Sequence, residues 1–195
     1  MFAAIGYNLK RLFDVKGRDG RRTFLLYALA VVLLNILVML AVIFPAMAAV
    51  FTEVSSAAKS GPEAIEAAAL DAMIQRGVPG TMVRTSLALG LLNIILLSAA
   101  FVRRSHDSGL PGLILVVPLA IHLVWMFFAF RQVDGLSSSM RAAADIKQAG
   151  GGAGLQTAMI AQDAIGWVAV LTVLAIGMIK SQPSPNQYGD VPAPL

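Results

Sequence analysis

The chain has 195 residues, of which 57% are hydrophobic and 13% are charged, and its formal net charge at pH 7 is +4. Soluble domains carry about one quarter charged residues, so this composition excludes an ordinary water-soluble fold. The basic residues lie beside apolar blocks, which favours anionic phospholipid as a partner and argues against nucleic acid. The absence of cysteine excludes disulfides and thiolate chemistry.

Residues 1–23 are predicted to form a cytoplasmic amphipathic and basic segment. Its first part repeats apolar residues at helical spacing, which predicts a short helix in the headgroup region, although a frayed terminus is the alternative. A basic turn interrupted by glycines follows at residues 16–22. The apolar face of the predicted helix contains Phe2, Ile5, Leu9, Leu12 and Phe13, with Asn8, Lys10 and Arg11 towards the other face.

Four long apolar blocks predict transmembrane helices, because about 18 or more uncharged residues in a row suffice to cross a bilayer. The expected spans are residues 24–50, 82–102, 111–130 and 163–180. Pro45 is expected to kink or end the first. The fold class is therefore all-α, a single membrane domain over residues 1–195 that forms an integral membrane four-helix bundle with short interfacial helices in its N-terminal segment and outer loops.

The connections set the predicted orientation, since cytoplasmic segments carry the excess of lysine and arginine. Residues 1–23, the turn at 103–110 and the tail at 181–195 are assigned to the cytoplasm, with both termini on that side. The outer loops are residues 51–81 and 131–162. Helices are expected in them from Pro62 to Gly77 and from Ser137 to Gln148, the second followed by a flexible break at Gly150–Gly154.

Three strongly polar side chains lie deep in the predicted spans: Asn35, Asn93 and His122. Intramembrane polar residues are candidates for function, but asparagines also hold helices together by hydrogen bonds, and packing is the preferred interpretation. For His122 a packing histidine with its hydrogen bonds satisfied is preferred over haem ligation or proton relay. Leu33–Ile36 and Leu91–Ile94 share the letters LLNI, which we interpret as coincidence rather than as an internal repeat.

A polar cluster lies in the turn between the second and third spans. Arg103 and Arg104 suit the C-terminal end of a helix and an anionic leaflet, while Asp107 can accept a fork of hydrogen bonds from a guanidinium. Gly109 fits the positive φ of a helix end or tight turn. This cluster alone is consistent with a salt-bridged seam that fixes the hairpin.

Three motifs together resemble a known family. The first is Gly17-Arg18-x-x-Arg21-Arg22-x-Phe24, the second Arg103-Arg104-x-His106-Asp107-x-Gly109-x-x-Gly112, and the third Asn186-x-Tyr188-Gly189 with Pro192. They resemble the bacterial inner-membrane family catalogued as domain of unknown function 805. The chain departs from the family pattern where Leu110-Pro111-Gly112-Leu113 replaces a Ser-Gly and tryptophan sequence, and its outer loops are longer.

The resemblance implies a multi-pass protein of the bacterial inner membrane and no established activity. It also implies that the motifs meet at one cytoplasmic site, here called the seam, for binding lipid or a partner. The predicted seam residues are Arg18, Arg21, Arg22, Arg103, Arg104, His106, Asp107, Asn186 and Tyr188.

The preferred function is a non-enzymatic accessory or scaffold subunit that binds anionic phospholipid, other membrane proteins or a larger membrane complex through the seam. A small transporter or channel component is the alternative, with Gly90 and Pro118 as weak hints. A lipid-phosphate enzyme with His106 and Asp107 as acid and base is the third hypothesis. No catalytic residue, metal ligand set or cofactor is predicted.

Overall fold

A computed structural model describes residues 1–148 and 153–193, and within these residues the chain forms seven α-helices and no named strand. Gly150, Gly151 and Gly152 of the predicted flexible break lie outside the described residues. The all-α prediction is confirmed. The helices are α1 (Phe2–Lys10), α2 (Arg21–Ala57), α3 (Pro62–Gln75), α4 (Val78–Asp107), α5 (Val116–Gln132), α6 (Leu136–Gln148) and α7 (Ala153–Met178).

Three segments are long and apolar enough to cross a membrane. They are α2, α4 and the stretch Gly112–Gln132, where a 3₁₀ turn at Gly112–Leu115 leads into α5. Their mean hydropathies over 18 residues are 2.8, 2.1 and 2.5. The described part of α7 adds a shorter apolar helix, Ala164–Met178. The presence of membrane-type helices is therefore confirmed, whereas the count of four spans stays a prediction.

Helix α2 extends well beyond the predicted first span. It runs for 37 residues and continues through Pro45 for three further turns to Ala57. Proline removes one backbone donor, but such a loss is tolerated in membrane helices, where neighbouring groups satisfy the freed carbonyl. The expectation that Pro45 ends the helix is thus wrong.

The outward residues of α2 are apolar. Leu37, Leu40, Phe44 and Phe51 are all exposed, and a helix that is apolar on all sides requires an apolar environment. Hydrocarbon provides that environment without further protein contacts. These faces support a location in the bilayer.

By its internal contacts the chain divides into two units, each assembled from separate stretches of sequence. Unit 1 consists of Met1–Asn35, Leu89–Met126 and Gln162–Leu195, and unit 2 consists of Ile36–Ala88 and Phe127–Ala161. Unit 1 contains a core contributed by α2, α4 and α7. Its buried residues are Phe24, Tyr27, Val31, Ala100, Phe101 and Ile176.

The core of unit 1 joins α2 to α4 through two specific contacts. The rings of Phe24 and Phe101 pack edge to face with centroids 6.5 Å apart, a favourable aromatic geometry. The Tyr27 hydroxyl donates a hydrogen bond of 3.0 Å to the Leu96 carbonyl oxygen. These contacts fix the ends of α2 and α4 from which the seam residues extend.

Unit 2 contains α3, α6 and the adjoining parts of α2, α4 and α5. Helix α3 begins at Pro62, as predicted, after Gly61 with φ of 100°. Exposed ion pairs join Arg84 to Asp134 at 3.4 Å and Arg141 to Asp71 at 3.7 Å. Exposed pairs contribute about 0–1 kcal/mol each, so they add little to the stability of this unit.

The turn after α4 takes the conformation that its sequence predicts. Gly109 has φ of 78°, and its N–H donates to the His106 carbonyl oxygen at 3.1 Å. A side chain there would also collide with Gln182 of the tail. Gly109 therefore reverses the chain and allows the tail to approach the end of α4.

Candidate functional site

Five charged side chains at the end of α4 and in the segment before α2 form a buried cluster in unit 1. Each side chain is at most 1% exposed. Charged residues are almost never fully buried unless they are paired. We call Arg18, Asp19, Arg103, Arg104 and Asp107 the ionic network.

Asp107 connects the first motif to the second. Its Oδ1 accepts hydrogen bonds from Arg18 Nε at 3.2 Å and from Arg18 Nη2 at 3.0 Å. Its Oδ2 accepts a hydrogen bond from Arg104 Nη1, one turn earlier on α4. One carboxylate thus pairs with two guanidinium groups and links the two motifs.

Arg18 also binds the C-terminal tail. Its Nη1 donates to the carbonyl oxygens of Ser184 at 2.9 Å and Gly189 at 3.3 Å, and its Nη2 donates to that of Gln182 at 2.8 Å. The Gln182 N–H in turn donates to the Asp107 carbonyl oxygen at 2.9 Å. The third motif is therefore held against the first two by backbone contacts.

Arg103 pairs with Asp19 and anchors the N-terminal segment. The Arg103 Nε and Asp19 Oδ2 atoms are 3.0 Å apart, as an ion pair without the geometry of a hydrogen bond. Arg103 Nη1 donates to the carbonyl oxygens of Arg11, at 2.9 Å, and Asp14. Its Nη2 donates to Asn8 Oδ1 at 2.7 Å. Helix α1 is consequently fixed to the end of α4.

Asn8 lies on the polar face of α1, and this part of the face is packed against protein. Asn8 is buried and its Oδ1 accepts from Arg103. Tyr7 beside it lies near the same group. Burial, and then the negative charge of Asp19, raises the pKa of the Tyr7 phenol above its ordinary value. Asn8 and Tyr7 thus face the network, whereas Lys10 is exposed.

Arg104 reaches the end of α7. Its Nε donates to the Gly177 carbonyl oxygen at 3.0 Å, and its Nη2 donates to that of Ile179. With three arginines and two aspartates, the network holds one positive charge in excess. Backbone carbonyl oxygens, which are strong acceptors, take up the N–H groups that the carboxylates leave unpaired.

His106 is covered by the tail. Its ring stacks on that of Tyr188 with centroids 3.8 Å apart and an angle of 4°. Its Nδ1 lies 3.2 Å from the Gly17 carbonyl oxygen, a contact that requires the proton on Nδ1. Asn186 Nδ2 donates to the His106 carbonyl oxygen at 2.9 Å. All three motifs therefore meet within unit 1.

Comparison with protein families shows to which family the chain belongs. The model of the family described as "Protein of unknown function (DUF805)" matches residues 12–190. The chain belongs to this family. No curated protein and no solved structure matches the chain. The family suggested by the three motifs is confirmed, and the match covers every residue of the ionic network while beginning after α1.

Two of the predicted seam residues of this DUF805 protein stand apart from the network. Arg21 and Arg22 begin α2 with exposed side chains, and neither forms an ion pair among the described residues. The other predicted seam residues come together. They are Arg18, Arg103, Arg104, His106, Asp107, Asn186 and Tyr188.

Sequence reasoning missed three residues that the site of this DUF805 protein uses: Asp19, Asn8 and Gln182. Charge balance contains a signal for Asp19, because three buried arginines need more than the one carboxylate of Asp107. Asn8 and Gln182 act through tertiary contacts with Arg103 and with Asp107. No local pattern marks such contacts.

The intramembrane asparagines form the contact expected of packing residues. Asn35 Nδ2 donates to Asn93 Oδ1 at 3.0 Å, and Asn93 Nδ2 donates to Asn35 Oδ1 at 3.3 Å. The two matching LLNI segments thus place their asparagines against each other, joining α2 to α4. Each such interhelical contact is worth about 1 kcal/mol.

His122 packs against neighbouring side chains and the backbone. Its Nε2 is buried and approaches the Gly90 backbone without a hydrogen bond of normal geometry. Its ring stacks on Trp125 with centroids 5.5 Å apart. The interpretation as a packing histidine stays a prediction. Within the described part of the chain, no group of three or more His, Cys, Asp or Glu side chains has an arrangement suited to a metal ion.

Proposed function

We propose that this DUF805 protein is a non-enzymatic accessory or scaffold subunit of a bacterial inner membrane. One observation carries the proposal: Arg103, Arg104 and Asp107, from the central motif, have side chains that are fully buried and paired within the chain. A buried network of paired charges fixes a conformation, and its side chains face one another rather than a substrate. The motifs therefore form a rigid structural core, and we assign binding to the exposed groups around it.

The same burial weighs against a lipid-phosphate enzyme. Asp107 already accepts from two arginines, and His106 is stacked on Tyr188 with Nδ1 directed at the Gly17 carbonyl oxygen. A general acid or base must lie within hydrogen-bond reach of the proton that it transfers. The Asp107 carboxylate does not meet that condition while the network is intact, and the Nδ1 of His106 is already engaged.

Exposed basic residues flank the network and suit anionic phospholipid. Arg21 and Arg22 follow Asp19 after a single glycine, and Lys180 follows Ile179, whose carbonyl oxygen accepts from Arg104. Lys10 ends α1 and is also exposed. A basic residue close to an anionic membrane surface contributes about 1 kcal/mol. Lipid binding is thus assigned to this exposed set rather than to the buried arginines.

Helix α1 supplies an apolar contact beside these cations. Phe2 of the helix is 84% exposed, Leu9 is also exposed, and Phe13 in the turn after the helix is 82% exposed, while Asn8 holds the buried side of the helix to Arg103. An amphipathic helix of this kind lies in the plane of the interface with its apolar side chains in the lipid. In this proposal both termini are cytoplasmic, where anionic lipid and the excess of basic residues coincide.

Lipid selection tests the assignment directly. The protein is reconstituted into nanodiscs of mixed phosphatidylglycerol and phosphatidylcholine, and retained phosphatidylglycerol is counted by native mass spectrometry. Replacing Arg21 and Arg22 together by glutamine should weaken retention by about 2 kcal/mol, or roughly 30-fold. The matched control, Lys59→Gln with Arg131→Gln in unit 2, removes the same charge. Equal losses in both variants contradict the proposal.

The scaffold role has its own test. The protein is isolated in mild detergent and the co-isolating proteins and lipids are identified. A stoichiometric membrane-protein partner supports the role, and a lone monomer that turns over phospholipid overturns it. Reporter fusions at Gly61 and Gly151 are expected to report the outer side, and fusions at Ser108 and Leu195 the cytoplasm.

A further inference from the structure

Unit 1 contains a pocket between its membrane-type helices that the proposed function does not use. Its volume is about 170 Å³, and α2, α4, α7 and the Gly112–Gln132 segment line it. The lining is apolar apart from Asn35, Asn93, Ser98 and His122. Polar groups inside a membrane are costly and mark functional sites by default. Their concentration in one pocket therefore indicates a ligand-binding site.

His122 is the least satisfied of these groups. Its Nε2 is buried beside the Gly90 backbone without a hydrogen bond of normal geometry. Gly90 of α4 makes room for the ring, since a Cβ atom at that position would lie 2.9 Å from Nε2. The imidazole thus keeps the capacity to form a hydrogen bond with a ligand.

The asparagine pair adds further capacity. Asn35 uses both N–H bonds, one to the Val31 carbonyl oxygen at 2.6 Å and one to Asn93 Oδ1. Asn93 uses a single N–H, directed at Asn35 Oδ1. One Asn93 N–H and a lone pair on each amide oxygen remain. All of these groups are uncharged, so they suit a neutral ligand with an oxygen atom and not an ion.

The pocket reaches the outer surface of the helices beside α2 and α7. Val32 of α2 and Val170 and Leu174 of α7 line it and are themselves exposed. On helices that lie in a bilayer such residues face hydrocarbon, so the route of entry is through the lipid. A cavity of about 150 Å³ accommodates benzene, and this pocket therefore has room for one six-membered ring.

We infer that this pocket binds a neutral, lipid-soluble molecule whose single-ring headgroup carries a hydroxyl or carbonyl oxygen hydrogen-bonded to His122. The apolar tail of the ligand lies outside, along the exposed residues of α2 and α7. The ring fills the apolar part of the pocket, and the oxygen satisfies the imidazole. This site is independent of the ionic network and of the exposed cations.

Matched probes test the inference on the full chain in nanodiscs. The probes are 4-decylphenol and decylbenzene, which share ring and tail and differ by the hydroxyl group, and empty nanodiscs correct for partition into lipid. The wild-type protein should bind decylphenol about tenfold more tightly than decylbenzene, the effect of roughly one hydrogen bond. His122→Phe replaces the imidazole by a somewhat larger aromatic ring without a nitrogen atom and should abolish the preference. Thr172→Val, outside the pocket lining, should leave it unchanged.

Three results would overturn the inference: no saturable binding of decylphenol to the wild type, equal affinity for both probes, or an undiminished preference in His122→Phe. Helical content measured by circular dichroism establishes that the variant is folded. If His122→Phe does not fold, the ¹⁵N resonances of the His122 ring in the wild type decide the question. They should shift on addition of decylphenol and not of decylbenzene, and an unchanged spectrum refutes the contact.

Discussion

The ionic network of unit 1 and the ion pairs of unit 2 use the same residue types in opposite surroundings. Arg18 and Asp107 have side chains 1% and 0% exposed, whereas Arg84 and Asp134 have side chains 66% and 90% exposed. An exposed pair exchanges water for a partner at little net gain. A buried pair that loses one member leaves a charge without water or a counterion, at a cost of about 3–5 kcal/mol. The effect of breaking an ion pair on stability is therefore set by the burial of the pair rather than by the number of pairs.

Asp107→Ala is expected to have the largest effect, because it leaves both Arg18 and Arg104 without their carboxylate. We expect the free energy of unfolding to fall by about 3–5 kcal/mol, measured in detergent by titration with a denaturant. Asp134→Ala is the matched control, since it removes an aspartate from an exposed pair. A similar loss in both variants would refute the distinction between buried and exposed pairs.

The effects of replacing Arg103 and Asp19 on the free energy of unfolding should be coupled. Arg103→Gln and Asp19→Asn are each expected to destabilise the protein by about 3 kcal/mol, because each leaves one buried charge unpaired. The double variant should lose less than the sum of the two, since no uncompensated charge remains between them. The four free energies of unfolding form the cycle. Strict additivity would show that the 3.0 Å contact carries no energy.

The sequence predicted the fold class and the meeting of the three motifs, but not the composition of the network. Long apolar blocks and the start of α3 at Pro62 are local signals, and they were sufficient. The exclusion of Arg21 and Arg22 and the inclusion of Asp19 and Asn8 depend on which side chains point inward after packing. That depends on helix rotation, which motif spacing alone does not determine.

The asparagine contact should have an intermediate effect. Asn93→Leu removes the hydrogen bonds to Asn35 while keeping the side-chain volume close, and we expect a loss of about 1 kcal/mol. Asn35→Leu with Asn93→Leu should cost little more than the single change, because one interaction is lost in both cases. Thermal unfolding in detergent measures both. A double variant twice as destabilised would show that the asparagines act separately.

Asp14 should give a small effect that depends on pH. The Lys16 N–H and the Arg11 guanidinium hold the pKa of this carboxyl below its ordinary value. Its contribution is therefore present above the unfolded pKa of about 4 and disappears as the pH falls through the folded pKa. Asp14→Asn should lower the thermal midpoint at pH 7, and its difference from the wild type should shrink as the pH is lowered below about 4. A difference that does not change with pH would assign the effect to packing.

The contacts of Arg18 and Arg104 with the tail impose an order on biosynthesis. Arg18 donates to carbonyl oxygens at positions 182, 184 and 189, which are made long after the arginine itself. At about 5–20 residues per second, the ribosome needs roughly 4 to 15 s to proceed from Asp107 to Gln182. During that interval the guanidinium groups remain hydrated, or are held by another molecule, beside helices that are already inserted. Closure of the network therefore requires that synthesis has proceeded at least as far as Gly189.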